Sequence, residues 1–179
     1  MSASRRTAVL ATASAIFVAG AAVGAASASP NVVTALPALD RQIVAGINTA
    51  RAQRGLVRLR VSAQLRAAAR FHSYDMARRG FFSHDSADGT PAGTRLARYY
   101  RSAGYTRWQI GEALLWAQPD VDGPGAVRDW LTSPEHRAIL LTSAFREIGV
   151  SAVHATAASG DFNGGEVTLV TADFGVRTR

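Results

Sequence analysis

The sequence predicts an α+β layered domain on three observations. Apolar residues recur at helical spacing in two long early segments, 39–54 and 62–79. Apolar residues alternate with others in two late segments, 148–154 and 166–174, which flank a loop containing Gly and Asn. Further helical segments lie between these blocks, so helices precede and interleave with antiparallel strands, as in helices layered on a sheet.

Each element has a local reason. In residues 39–54, Leu39, Ile43, Ile47 and Ala50 share one face, and Gly55 ends the helix. Leu56 to Val61 alternates apolar residues with Arg and reads as a short edge strand or extended connector. Ser62 caps a second helix that Gly80 stops, with Leu65, Ala69, His72 and Met76 inward. Residues 81–93 form a loop carrying His84. Thr94 to Ala103 is a third helix closed by Gly104, and Ile110 to Trp116 is a strand containing Glu112. A turn cluster, Pro119 to Gly125, leads into helix 126–132, with Val127, Trp130 and Leu131 inward. A new helix starts at Ser133. The hairpin of 148–174 should be central to the sheet, and its loop, 157–165, exposed.

Composition narrows the class. The chain has 179 residues, no Cys, 20 basic residues that are all Arg, and 13 acidic ones, for a net charge of +7. Residues 1–28 read as a signal peptide: Arg5-Arg6, an uncharged stretch from Ala8 to Ala26, and the cleavage site Ala26-Ser27-Ala28 before Ser29. An uncleaved anchor is the alternative, but Ala and Gly make the stretch weakly apolar. Ser4-Arg5-Arg6 also raises twin-arginine export, although Ala8 stands where that signal carries Phe. The expectation is a secreted protein, extracellular or periplasmic, with no stable membrane span after cleavage. Residues 29–38 are a leader, 39–175 one domain and 176–179 a C-terminal tail; about 150 residues suffice for a full core. Without Cys, stability must come from packing. Removing Arg5 and Arg6 leaves 18 basic against 13 acidic residues, or +5. That charge reads as a solvated Arg-rich surface, with attraction to anionic wall polymers or lipid head groups as the alternative. No basic stripe interleaves with aromatics, so nucleic acid is not an expected partner.

His84 and His136 are the sharpest candidate site residues, because imidazole serves both as metal ligand and as base near neutral pH. Ser133, Pro134, Glu135 and His136 fit N-cap, N1, N2 and N3 of a helix whose positive end favours neutral imidazole. The other candidates have blander readings. His72 is a satisfied core histidine. His154 lies exposed at a strand end. Glu135 serves the helix N-terminus, and Glu147 pairs with a surface Arg. Trp130 is core, while Trp108 and Trp116 stay open between core and the lining of an acyl-chain cavity. Asp85-x-x-Asp88-Gly89 is no calcium loop, since Ala87 occupies a position that needs an oxygen ligand. The chain has no H-E-x-x-H and no G-x-S-x-G, and nothing marks Ser83 or Ser86 as a nucleophile.

Short signatures follow in a fixed order: Phe81-Phe82-Ser83-His84, Gly111-Glu112, Ser133-Pro134-Glu135-His136-Arg137, and Phe145-Arg146-Glu147-Ile148-Gly149-Val150. Upstream stand Asn48-Thr49-Ala50-Arg51, Gly55-Leu56 and His72-Ser73-x-Asp75-Met76-Ala77. Together they resemble the bacterial SCP-like branch of the CAP superfamily, which groups cysteine-rich secretory, antigen 5 and pathogenesis-related proteins. The resemblance covers nearly all of 39–175. It implies a three-layer α-β-α sandwich around a central, mainly antiparallel sheet. It also implies a cavity in which His84, Glu112 and His136 match three members of a His-Glu-Glu-His set; the second Glu would fall near Ser133. A His₂Glu group suits Zn2+ with a bound water; a hydrogen-bonded polar cluster is the alternative. Ala113 replaces the family's Asn after Gly-Glu, and Thr171-Ala172-Asp173-Phe174-Gly175 lacks the family's Gln. Both departures read as losses of polar groups near the cavity. The resulting expectation is a monomeric binding module of the cell envelope, with a polar or metal-binding cavity and a small apolar, lipid-like ligand. The alternatives are a zinc-assisted or histidine-dependent hydrolase, with His84, Glu112 and His136 catalytic, and a structural surface protein.

Overall fold

Pro37, with its fixed φ, starts the first helix two residues before the expected point; α1 is Pro37–Ala52, and its inward face includes Leu39, Ile43, Ile47 and Ala50. The computed structural model describes residues 30–179. The expected signal peptide, 1–28, and its cleavage point before Ser29 lie outside the described residues. The second helix, α2 (Ala63–Arg79), has the expected ends: Ser62 Oγ accepts the Leu65 N–H, and Gly80 takes a left-handed φ of 71°. α3 is Ala92–Tyr99, earlier and shorter than expected. α4 (Gly123–Thr132) starts early because the Asp122 side chain accepts the Gly125 N–H. α5 is Pro134–Leu140.

The strands are β1 (Val33–Ala35), β2 (Arg60–Val61), β3 (Arg107–Ala117), β4 (Glu147–Ala158) and β5 (Gly165–Thr178). They form one sheet in the order β1-β4-β5-β3, with β2 pairing parallel to the start of β4 and all other pairs antiparallel. The β4–β5 hairpin is central, as expected. Two boundaries need correction. The leader residues 29–38 contain β1 and the start of α1, and residues 176–178 are not a tail: Val176, Arg177 and Thr178 pair with Gln109, Trp108 and Arg107.

Strand alternation sorts the core into two layers of helices. Ile148, Val150 and Ala152 of β4, with Val170, Ala172, Phe174 and Val176 of β5, pack against Ile43, Ile47, Val127, Trp130 and Leu140 from α1, α4 and α5. The opposite face offers Leu114, Val153, Ala155, Val167 and Leu169 to Met76 and Ala77 of α2. Leu65, Ala68, Leu96 and Tyr100 join α2 to α3. This is the expected three-layer sandwich. Gly149 permits the closest approach: a Cβ there would lie 2.0 Å from Arg66 N, so the first turn of α2 rests directly on β4.

The loop 157–165 is not simply exposed. A single 3-10 turn, Gly160–Phe162, buries the Phe162 ring against Trp116. The Asp161 N–H donates to Gly80 O, and the Phe82 N–H donates to Asp161 Oδ2. The cause is hydrophobic: Phe162 lies in a loop segment yet completes the core beneath α2.

Candidate functional site

Residues two apart on a strand share a face, so Thr171 and Asp173 lie in line on β5 beneath α2, and Glu112 of β3 stands opposite Asp173. α2 turns His72 and Ser73 inward over this stripe. Hydrogen bonds link Ser73 Oγ to Ser151 O at 2.9 Å and to Thr171 Oγ1 at 2.8 Å. α3 adds Arg95, and the loop after α2 adds His84.

Glu112 is the hub. Its Oε1 accepts from His84 Nδ1 at 2.8 Å, and its Oε2 accepts from Arg95 Nη2 at 2.5 Å. Arg95 Nη1 also donates to His84 O at 2.7 Å and Ser86 Oγ at 3.1 Å, so one buried guanidinium holds both the carboxylate and the loop. His72 Nε2 donates to Ser83 O at 2.8 Å. The His84 side chain is 55% exposed and that of Glu112 4%, so a buried carboxylate orients a solvent-facing imidazole. His136 Nδ1 and Ser133 Oγ lie 3.0 Å apart; Ser133 thus holds the ring instead of capping the α5 backbone.

Residues 44–174 match the Cysteine-rich secretory protein family, CAP. The chain is a CAP-family protein. A membrane protein of Bacillus subtilis, YlbC, itself uncharacterized, is 34% identical over 112 residues, which are 62% of this chain and 30% of that protein. An extracellular SCP-domain protein of Bacillus anthracis superposes with a TM-score of 0.60 at 28% identity, covering 80% of this chain and 41% of that one. The chain therefore spans less than half the length of either relative. An outer surface protein of Borrelia burgdorferi, 17% identical, shares the fold with a TM-score of 0.65 over 82% of this chain and 100% of its own.

The electrostatics of this CAP site follow from burial and pairing. Burial alone would push Glu112 up, but the His84 hydrogen bond and the Arg95 charge hold it below its ordinary value. Asp173 is driven well above the usual carboxylate range, first by complete burial and then by the Glu112 charge. Glu112 is therefore the carboxylate and Asp173 the acid that keeps its proton. Among the described residues neither Asp173 oxygen has a hydrogen-bond partner. His84 is raised by its bond to Glu112, whereas His136 is lowered by burial and then by His84. Burial also lowers His72.

Sequence reasoning missed Arg95 and misread Asp173. Arg95 sits three residues after Ala92, beside Leu96 and four before Tyr99: a charge on an apolar helix face was the available signal. Asp173 adds an ionisable group where a loss of polarity was expected. Other corrections are local. Glu147 Oε2 accepts from the buried Tyr100 hydroxyl at 2.5 Å, not from a surface Arg. His154 is half-buried within β4, with Nε2 at 2.9 Å from Glu166 Oε1. His72 is buried as expected, but its Nδ1 has no partner among the described residues. Trp130 is core, its Nε1 donating to Leu114 O; Trp108 Nε1 donates to Tyr100 O, and Trp116 lies half exposed against Phe82 and Phe162.

The donor set fits a zinc site poorly. Among the described residues no three His, Cys, Asp or Glu side chains are grouped to hold one metal ion. Both Glu112 oxygens already accept charge-assisted hydrogen bonds, one from a cation that a metal would have to oppose. Only the imidazoles of His84 and His136 remain as ligands, fewer than a closed zinc site uses.

Proposed function

We propose that this CAP domain is an exported binding module of the cell envelope, not a hydrolase. The observation that carries this reading is the pairing of both Glu112 oxygens. With Arg95 on one oxygen and His84 on the other, the carboxylate positions an imidazole and is held below its ordinary pKa, which makes it a poor proton acceptor. The site then offers His84 and His136 as hydrogen-bonding groups at its mouth. A groove of about 870 Å³ between α1 and α4, with an apolar strip of Gly46, Ala50, Val127 and Leu131 flanked by Gln42 and Arg128, supports a small ligand with an apolar part. The signal-like residues 1–28 and the extracellular and surface relatives support export. Titration with a fluorescent fatty acid tests the reading. Saturable binding should occur in the wild type and be weakened in Thr49→Asp, at an exposed position of the same groove; no saturable binding in the wild type would overturn it.

A second reading, a histidine-dependent hydrolase, is favoured by one observation: two neighbouring imidazoles are shifted in opposite directions, His84 up and His136 down. Such a split suits a general acid beside a general base. Turnover of peptide or ester substrates that disappears in His136→Ala would establish it. Zinc-dependent stabilisation that disappears in the same variant would restore the metal reading.

A further inference from the structure

A separate cavity of about 380 Å³ opens between α1, the Arg58–Val61 segment, the start of α2 and β4. Three arginines line it, Arg41, Arg58 and Arg66, each from a different segment. Among the described residues the ion pairs are Arg79–Asp75, His84–Glu112, Arg95–Glu112 and His154–Glu166, so none of the three is paired. Other arginines in this protein do find acceptors. Arg51, for example, donates to the carbonyls of Val57, Leu140 and Thr142.

The polar groups of the cavity floor are already used. Asn48 donates to Leu59 O and accepts from Leu59 N–H, and Asp40 Oδ1 accepts the Ala152 N–H at 2.6 Å. The remaining wall is apolar, from Val44, Val150 and Val61, the last 57% exposed at the rim. Three arginines with no ion-pair partner among the described residues thus line one concavity, with valines on its wall. Guanidinium forks match the oxygens of carboxylate and phosphate, and an oxyanion would relieve their mutual repulsion. The volume lies within the range of small-molecule sites.

We propose that this cavity binds a small organic oxyanion, a carboxylate or phosphate monoester joined to a short apolar group, through Arg41, Arg58 and Arg66. The oxyanion sits among the guanidiniums and the apolar group lies on Val44, Val61 and Val150. Asp40 opposes the ligand by charge, and its Oδ1 serves the β4 backbone.

Calorimetric titration of the full chain at low ionic strength with hexyl phosphate, hexanoate and inorganic phosphate tests this. Hexyl phosphate or hexanoate, or both, should bind saturably and more tightly than inorganic phosphate; which one is tighter identifies the head group. Arg41→Gln, Arg58→Gln and Arg66→Gln should each weaken binding about tenfold, the value of one charge-assisted hydrogen bond. Their melting temperatures should not move, since all three side chains are exposed. Asp40→Asn, which keeps an acceptor for Ala152 N–H, should tighten binding. The proposal is overturned if neither organic anion binds saturably, if inorganic phosphate binds as tightly as they do, or if Arg70→Gln and Arg78→Gln on the outer face of α2 weaken binding equally.

Discussion

Glu112 and Asp173 face each other across β3 and β5, and only one of them is charged. Like charges this close beneath a helix cannot both ionise, and Arg95 decides which does. Glu112→Gln leaves the Arg95 charge buried without its counter-charge and should cost about 3–5 kcal/mol. Asp173→Asn replaces a neutral acid with a neutral amide and should change stability by no more than about 1 kcal/mol. Urea unfolding of the two variants measures both. An Asp173→Asn cost equal to that of Glu112→Gln would mean the charge has been assigned to the wrong strand.

Asp40 should give stability a pH dependence of its own. Burial raises its carboxyl from 3.8 to about 6, against the Ala152 N–H and then Arg66 and Arg41, which pull it down. The folded state therefore keeps a proton that the unfolded chain has released. Its relative contribution is fully present below pH 3.8 and is lost as pH rises through about 6. Asp40→Asn has no such dependence, so the variant should gain on the wild type between pH 4 and 6, with the gap level above that range. A gap that is constant with pH would show an ordinary carboxyl.

Gly149→Ala should cost about 3 kcal/mol or more, since its Cβ meets the Arg66 and Leu65 backbone at 2.0 and 2.2 Å and a helix has to lift. Gly93→Ala is the control: its nearest neighbour would be 4.0 Å away, and alanine favours the helix. Equal melting temperatures for the two variants would refute the close seating of α2.

An insertion of Gly-Ser residues after Ser159 should destabilise the protein, contrary to what the turn composition implies. It separates Phe162 from a core position worth about 3–5 kcal/mol by truncation. The same insertion after Ala103, in the exposed turn before Gly104, should be tolerated. Equal melting temperatures would show that Phe162 contributes little.

Local chemistry made part of this legible. α2 carries its start at Ser62, its stop at Gly80 and its inward face in its own sequence, and all three were read correctly. His84 and Glu112 were legible as motif residues, and the structure brings them into contact. Strand β1 was not legible, because its three residues owe their structure to the edge of β4, whereas β2 falls inside the segment expected as a short edge strand or extended connector. Of that segment, 56–61, only Arg60–Val61 is strand and the rest is connector, because Asn48 satisfies both backbone groups of Leu59 with its side chain. Asp173 was misread because pairwise resemblance shows which residue is missing, not what its replacement does beside a buried carboxylate.

The root of the His84 loop is tied by four hydrogen bonds within a few residues: Gly80 and Phe82 to Asp161, Ser83 to His72, and the His84 carbonyl to Arg95. The ordering entropy of the site's mouth is thus settled during folding and need not be met by a ligand. Association should then be limited by encounter rather than by loop closure, and the Phe82 amide should exchange with solvent more slowly than unbonded loop amides. Rapid exchange at Phe82 in an otherwise protected protein would show that the mouth still has to be ordered on binding.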